Sequence, residues 1–333
     1  MRLHPEATLS AASLAAISDA YGLGEPLDST FIARGAMGAV NRITTRMHGE
    51  RVCWTVKRAY WNHFSEDGIR REVDFATRCG SVRVPAPRSI RRIDNGSFVL
   101  TVDDQPDGKS QYRVLAWVPG ETGDREDDRT IAPITEWMAR IHNLAVDPND
   151  HAIDDWFVRV KFNWDELATR MKDPAPDIAD AMHARRADLN ALSDLVNSAR
   201  EPGALWCHTD LGAPNLIWSD DGPWLIDWEN AGPLVPHQEL GSFVRSLGSR
   251  VRGKSAYLAY RRAGGPAEIT EPSHLASSVA VHLNYLGCQS ELLLDATHPE
   301  QHDFAREQAG NAANDLPSLA ELEALIDHLN GRT

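Results

Sequence analysis

The sequence predicts an α+β chain of two lobes, a small one made of strands with one helix and a larger one that is mainly helical. Three observations carry this. A length of 333 residues exceeds what one compact core usually holds. The opening third contains short runs of β-branched and aromatic residues punctuated by glycine and proline. From Ile131 onward the apolar residues recur at three and four, the period of an amphipathic helix.

The strands come first. Thr30–Arg34, Val40–Arg46 and Val52–Lys57 are expected strands, the first two flanking a glycine turn. A helix is expected over 66–78, with Ile69, Val73 and Ala76 on one stripe, ended by Val84-Pro-Ala-Pro87. Phe98–Val102 and Tyr112–Val118 complete the strands, separated by turn chemistry at Asp104–Gly108. Pro119-Gly120 closes this lobe, so the expected domains are 1–118 and 119–333. Helical periodicity then covers 131–145, 175–199, 254–263, 274–296 and 316–330. An inserted strand pair interrupts it, Ala204–Cys207 and Trp224–Asp227, around a Gly/Pro/Asn loop. A cleft between two lobes is a usual place for a ligand.

Charge and cysteine usage narrow the function. Against 34 basic residues stand 48 acidic ones, a net charge of −14, which argues against nucleic acid or an anionic membrane surface as partner. Cys53, Cys79, Cys207 and Cys288 are far apart and form no C-x-x-C pair, so reduced thiols in a cytoplasmic compartment are expected. The run Leu9–Ile17 is too short and serine-rich for a signal sequence, and no stretch approaches a membrane span.

The sharpest signal is His208-Thr-Asp210-Leu-Gly-Ala-Pro-Asn215, an H-x-D-x-x-x-x-N pattern between the two inserted strands, followed by Ile226-Asp227-Trp228. Phosphoryl transfer needs a carboxylate that orients the acceptor hydroxyl and takes its proton, and oxygen ligands for the metal that bridges the phosphates. Asp210 suits the first task. Asn215 and Asp227 suit the second, because amide and carboxylate oxygens match hard Mg²⁺. His208 is expected to pack and hold the loop. The opening third supplies a matching half. Gly35 and Gly38 flank a turn where backbone N–H groups can approach phosphate oxygens, a pattern that a plain hairpin also explains. Lys57 ends a strand, the place where a kinase holds the lysine that grips the α- and β-phosphates. Glu72 on the next helix is placed to pair with it.

Together these residues resemble the aminoglycoside phosphotransferase family of the protein-kinase-like superfamily, which includes choline and fructosamine kinases. The resemblance spans roughly 28–265 and also rests on Val118-Pro-Gly120, Trp137–Asn143 and Glu239-Leu-Gly241. It implies a two-lobed kinase-like fold, with a small five-stranded antiparallel sheet and a larger helical lobe. It implies Asp210 as catalytic base, Asn215 and Asp227 as Mg²⁺ ligands, and Lys57 with Glu72 as the phosphate-positioning pair. ATP or GTP would be the donor, its base hydrogen-bonded by the linker around Leu115, Trp117 and Val118. The family often has Gly where this chain has Thr209 and His where it has Gly212. Glu239 stands in the acidic place after the metal motif and is expected to cap a helix.

The expected acceptor is a hydroxyl of a small molecule, an aminoglycoside or another hydroxylated antibiotic or metabolite, with a cationic one favoured by charge. Glu229, Asp154, Asp155, Trp156, Glu291 and Asp295 are the acceptor candidates, and each also fits an ordinary surface position. Two rivals differ in class. A pseudokinase regulating a partner would show degraded Lys, Asp or Asn positions, and here all are intact. A metal-dependent hydrolase would use His208 and Asp210 with histidines such as His142, His237 and His282 gathered near them.

Overall fold

A computed structural model describes residues 9–35, 37–105, 108–199 and 202–332. The chain divides into two compact units. The first joins Met1–Gly123 to Asn215–Glu229, and the second joins Asp124–Pro214 to Asn230–Thr333. The first boundary thus falls after Gly123 rather than Val118, and a hairpin from far along the chain belongs to the first unit. Ala36 of the glycine turn, and Pro106 and Asp107 of the turn expected at Asp104–Gly108, lie outside the described residues.

The first unit opens with α1 (Ala11–Tyr21), whose N-cap Ser10 accepts from Ser13 N at 3.0 Å. This is the serine-rich run at Leu9–Ile17. Ile17 and Tyr21 enter a core with Ile43, Trp54, Val56, Tyr112 and Val114, so tertiary burial is what sustains so short a helix. Then come β1 (Glu25–Arg34), β2 (Gly38–Met47) and β3 (Glu50–Ala59). After α2 (Glu66–Ser81) follow β4 (Ser89–Ile90), β5 (Leu100–Gln105) and β6 (Gly108–Ala116). All pairings are antiparallel, in the order β1-β2-β3-β6. Both β4 and β5 lie on the remaining edge of β6, Ile90 opposite Val114 and Leu100 opposite Tyr112. The sheet therefore has six strands, not the expected five, because two short strands share its last position.

Side chains alternate between the two faces of β3. Trp54 and Val56 enter the core with α1, which turns Thr55 and Lys57 to the other face. On α2 the buried stripe is Ile69, Glu72, Phe75 and Cys79 rather than Ile69, Val73 and Ala76. The helix turns a carboxylate inward. The later hairpin, β9 (Leu216–Ser219) with β10 (Gly222–Leu225), joins β7 (Glu121–Thr122) in a sheet of three. Gly120 makes this possible: at φ 144° it lies so close to β9 that a Cβ would meet Trp218 O at 2.1 Å.

The second unit holds α3 (Ile131–Asn143), α4 (Asp155–Val158), α5 (Trp164–Met171), α6 (Pro176–Ala184) and α7 (Arg186–Ser198). Strand β8 (Leu205–Cys207) pairs with β11 (Gly232–Leu234), so the inserted strands at 204–207 and 224–227 are not partners of each other. After them come α8 (Pro236–Ser246), α9 (Arg250–Arg262), α10 (Ala276–Leu294), α11 (His302–Asn314) and α12 (Leu319–Leu329). Helix α10 packs against α4, α5, α7, α8 and α11 and buries Val279, Ala280, Leu283, Leu286 and Leu293, which makes it the central helix of this unit. Among the described residues no helix is long and apolar enough to cross a membrane.

Candidate active site

The β3–β6 register sets Lys57 directly opposite Arg113. Like charges in that relation repel, and three carboxylates of the same unit answer them. Glu72 takes Arg113 in a two-pronged pair, at 2.7 Å to Nη1 and 2.6 Å to Nη2, with both side chains almost wholly buried. Asp227 Oδ1 accepts from Lys57 Nζ at 2.7 Å. Glu229 Oε1 stands 2.8 Å from Lys57 Nζ and 3.7 Å from Arg113 Nη1. Oε1 has no hydrogen bond of good angle, so it acts on both cations as a bare charge. Burial works against the Lys57 ammonium, but Glu229 and Asp227 outweigh it and hold its pKa above the usual lysine range. Burial opposes the Arg113 charge as well, and Glu72, Glu229 and Asp227 maintain it.

The expected Lys57–Glu72 pair is therefore not what this structure contains. Glu72 is held by Arg113, a residue that the sequence reading passed over. Glu229, expected among the acceptor carboxylates, lies instead against the two cations.

Asp227 reaches Lys57 from a turn rather than a strand. Strand β10 ends at Leu225, and Asp227 has φ 63°, a left-handed conformation that a non-glycine residue holds only when its surroundings impose it. Trp228 supplies the constraint. Its Nε1 donates to Leu225 O at 3.0 Å, and its ring meets Phe75 of α2 edge-on at 6.0 Å. Ile226 N donates to Asn215 O at 2.8 Å, tying together the backbone segments that carry Asn215 and Asp227. An amide and a carboxylate carried on tied segments offer the kind of hard oxygen that suits Mg²⁺.

Around Gly35 and Gly38 the turn is a hairpin. Gly35 N donates to Gly38 O at 2.9 Å. A Cβ on Gly38 would lie 2.2 Å from Arg58 O, so close approach of β3 explains that glycine. In the linker, Leu115 is buried in β6 and Ala116 N donates to Arg88 O at 2.8 Å. Trp117 and Val118 are half-buried, with the Arg42 guanidinium 5.6 Å from the centre of the Trp117 ring.

In the second unit the H-x-D segment follows β8. His208 is buried and Asp210 is exposed, and Asp210 N donates to His208 Nδ1 at 3.3 Å. Thr209 between them has φ 66°. Glycine adopts that conformation freely and a β-branched residue does not, which accounts for the glycine common in the family there. Thr209 N donates to Glu239 Oε1 at 2.5 Å, and its hydroxyl donates to Asn230 O at 2.7 Å. Glu239 Oε2 pairs with His142 Nε2 at 2.7 Å, and His142 Nδ1 lies 2.7 Å from the Tyr260 hydroxyl, whose oxygen accepts from Ala267 N. One set of donor roles satisfies every member: Tyr260 donates to Nδ1 and Nε2–H donates to Glu239. Glu239 thus caps no helix, contrary to expectation. It holds the backbone beside Asp210.

Among the described residues this is also the one grouping of three potential metal ligands, His142, Cys207 and Glu239. Both His142 nitrogens are already used, and Cys207 Sγ donates to Leu234 O. His282 is bonded to Ala312 O and His237 is stacked on His274. Both His142 nitrogens and Nε2 of His282 are thus occupied by protein partners.

The remaining acceptor candidates are spent on local contacts. Asp154 caps α4 by accepting from Trp156 N. Asp155 pairs with Lys161 and Arg159, Glu291 pairs with Arg170 through both oxygens, and Asp295 accepts from Thr297. The Trp156 carbonyl accepts from Asn284 Nδ2.

The sequence profile described as the Phosphotransferase enzyme family matches residues 32–275. The chain belongs to this family. No curated protein matches the phosphotransferase chain. Solved structures similar to it include a spectinomycin phosphotransferase in complex with ADP and spectinomycin, at TM-score 0.63 and 12% identity over 91% of this chain and 97% of that one. An amicoumacin kinase bound to AMP-PNP and Ca²⁺ follows at 0.57 and 14%, over 90% and 92%. A microcompartment-associated aminopropanol kinase gives 0.52 and 15%, over 95% and 94%. Likeness at these identities shows a shared α+β, kinase-like fold, and family membership makes the phosphotransferase a small-molecule kinase.

Proposed function

We propose that the phosphotransferase moves the γ-phosphate of ATP or GTP onto a hydroxyl of a small molecule. The observation that supports this most is the 2.7 Å contact between Lys57 and Asp227, which joins the phosphate-gripping lysine to the metal-motif aspartate across 170 positions of sequence. In this reading Lys57 binds the α- and β-phosphates. Asn215 and Asp227 would hold Mg²⁺, which neutralises charge on the phosphates when bound. Asp210 takes the acceptor's proton as its oxygen bonds to phosphorus and the nucleoside diphosphate departs.

For the acceptor we propose an amine-bearing alcohol. Two features favour it: the net charge of −14 and the aminopropanol kinase among the structural relatives, whose substrate is by name an amino alcohol. The test is phosphate transfer from γ-labelled ATP and GTP to a panel of aminoglycosides, amino alcohols and neutral polyols, with and without a chelator of Mg²⁺. Transfer to the amine-bearing members with a KM that rises with salt supports the reading. Transfer only to uncharged members refutes the acceptor class and leaves the kinase assignment standing. No transfer to any member, together with no binding of either Mg²⁺-nucleotide, refutes the proposed donor reading.

A further inference from the structure

The charged cluster on the β3–β6 face contains two cations and three carboxylates, and its connections are unequal. Arg113 is locked to Glu72 through both oxygens, and neither group leaves the interior. Lys57 is left with Asp227 and Glu229. If the kinase reading holds, on which this inference rests, Asp227 is required by the metal when nucleotide binds. Glu229 is then the carboxylate remaining to Lys57.

We propose that Glu229, and not Glu72, is the positioning residue that holds Lys57 against the nucleotide phosphates, and that Arg113 is the cause because it draws Glu72 away. Three features of this chain support it. The register makes Arg113 the direct neighbour of Lys57, so the inward carboxylate of α2 meets a guanidinium with matching two-pronged geometry before it meets the ammonium. Glu229 Oε1 faces both cations, so one carboxylate screens their mutual repulsion. Glu229 also sits in the turn that Trp228 pins to Leu225 and Phe75, so it is presented by a fixed backbone.

The test is a pair of double-mutant cycles on nucleotide affinity, read by calorimetry with non-hydrolysable ATP and GTP analogues and Mg²⁺. Glu229→Gln is expected to raise Kd and nucleotide KM by about tenfold or more, the coupling of a close, partly buried charge pair, while the acceptor KM stays put. Added to Lys57→Met, Glu229→Gln should cost nothing further, since its partner is already gone. Glu229→Asp should recover part of the affinity. Glu72→Gln should lower the urea midpoint, and its effect on Kd should multiply with that of Lys57→Met rather than vanish. Coupling of Lys57 to Glu72 in place of Glu229, or an unchanged Kd in Glu229→Gln, overturns the inference while the kinase reading stands. A wild-type protein that binds neither analogue refutes the kinase reading, and the role of Glu229 falls with it.

Discussion

Lys57 and Arg113 stand directly opposite each other on neighbouring antiparallel strands, two cations on one face of a sheet. Everything around them answers that arrangement. A carboxylate turns inward from α2, and a turn at 227–229 delivers two more, one held in a left-handed backbone conformation.

The Glu72–Arg113 pair is buried, so removing one partner strands a charge. Glu72→Gln or Arg113→Leu should each cost about 3–5 kcal/mol of stability, and replacing both with apolar residues should cost much less. Urea denaturation of the three variants checks this. Equal losses in the single and double variants would show that packing, not charge, sets the cost.

Glu239 holds the H-x-D segment, proposed to carry the catalytic base, through the Thr209 amide. Glu239→Ala leaves that amide and a buried His142 short of their acceptor and should cost about 1–3 kcal/mol. It should also lower kcat more than it raises either KM, because Asp210 loses its fixed backbone and neither substrate loses a contact. Steady-state kinetics at a temperature where the variant remains folded separates these effects.

Acid sensitivity should come partly from His282. Burial pushes its pKa down, and Arg245 facing Nδ1 at 3.5 Å pushes the same way. The unfolded chain therefore binds a proton that the folded one refuses. Stability from this group is full above the ordinary histidine value and is lost as pH falls below it, at up to about 1.4 kcal/mol per pH unit, until the folded value is reached. His63, also pushed down by burial, contributes with the same sign. The urea midpoint of wild type should be lower at pH 5.5 than at pH 7.5, and His282→Gln should flatten part of the drop.

Much of this was legible in the sequence, and the gaps have physical causes. Strands β2 and β3 were readable because β-branched residues alternate across half-buried faces. Helix α11 was missed because its buried face is alanine, Ala305, Ala309, Ala312 and Ala313, which gives little hydrophobic contrast. Helix α8 was missed because it turns Gln238 and Glu239 inward, against the apolar pattern. The motif residues Asp210, Asn215 and Asp227 stood out because their spacing is local. The partners of Lys57 and Glu72 did not. Which carboxylate meets which cation is decided by strand register, and nothing near Lys57 in sequence announces that Arg113 will sit opposite. Thr209 carried a usable signal: a β-branched residue where relatives often have glycine already hinted at a left-handed backbone.

The central claim is that Asp210 takes the proton of an acceptor hydroxyl while Asn215 and Asp227 hold the metal of a nucleoside triphosphate. The most direct measurement compares wild type with Asp210→Asn and Asp227→Ala, reading both phosphate transfer to the best acceptor of the panel and affinity for Mg²⁺-nucleotide. Asp210→Asn should lose about 10²–10⁴-fold in kcat with nucleotide affinity intact. Asp227→Ala should lose both transfer and Mg²⁺-dependent nucleotide binding. Near wild-type transfer by Asp210→Asn, or unchanged Mg²⁺ dependence in Asp227→Ala, would contradict the claim.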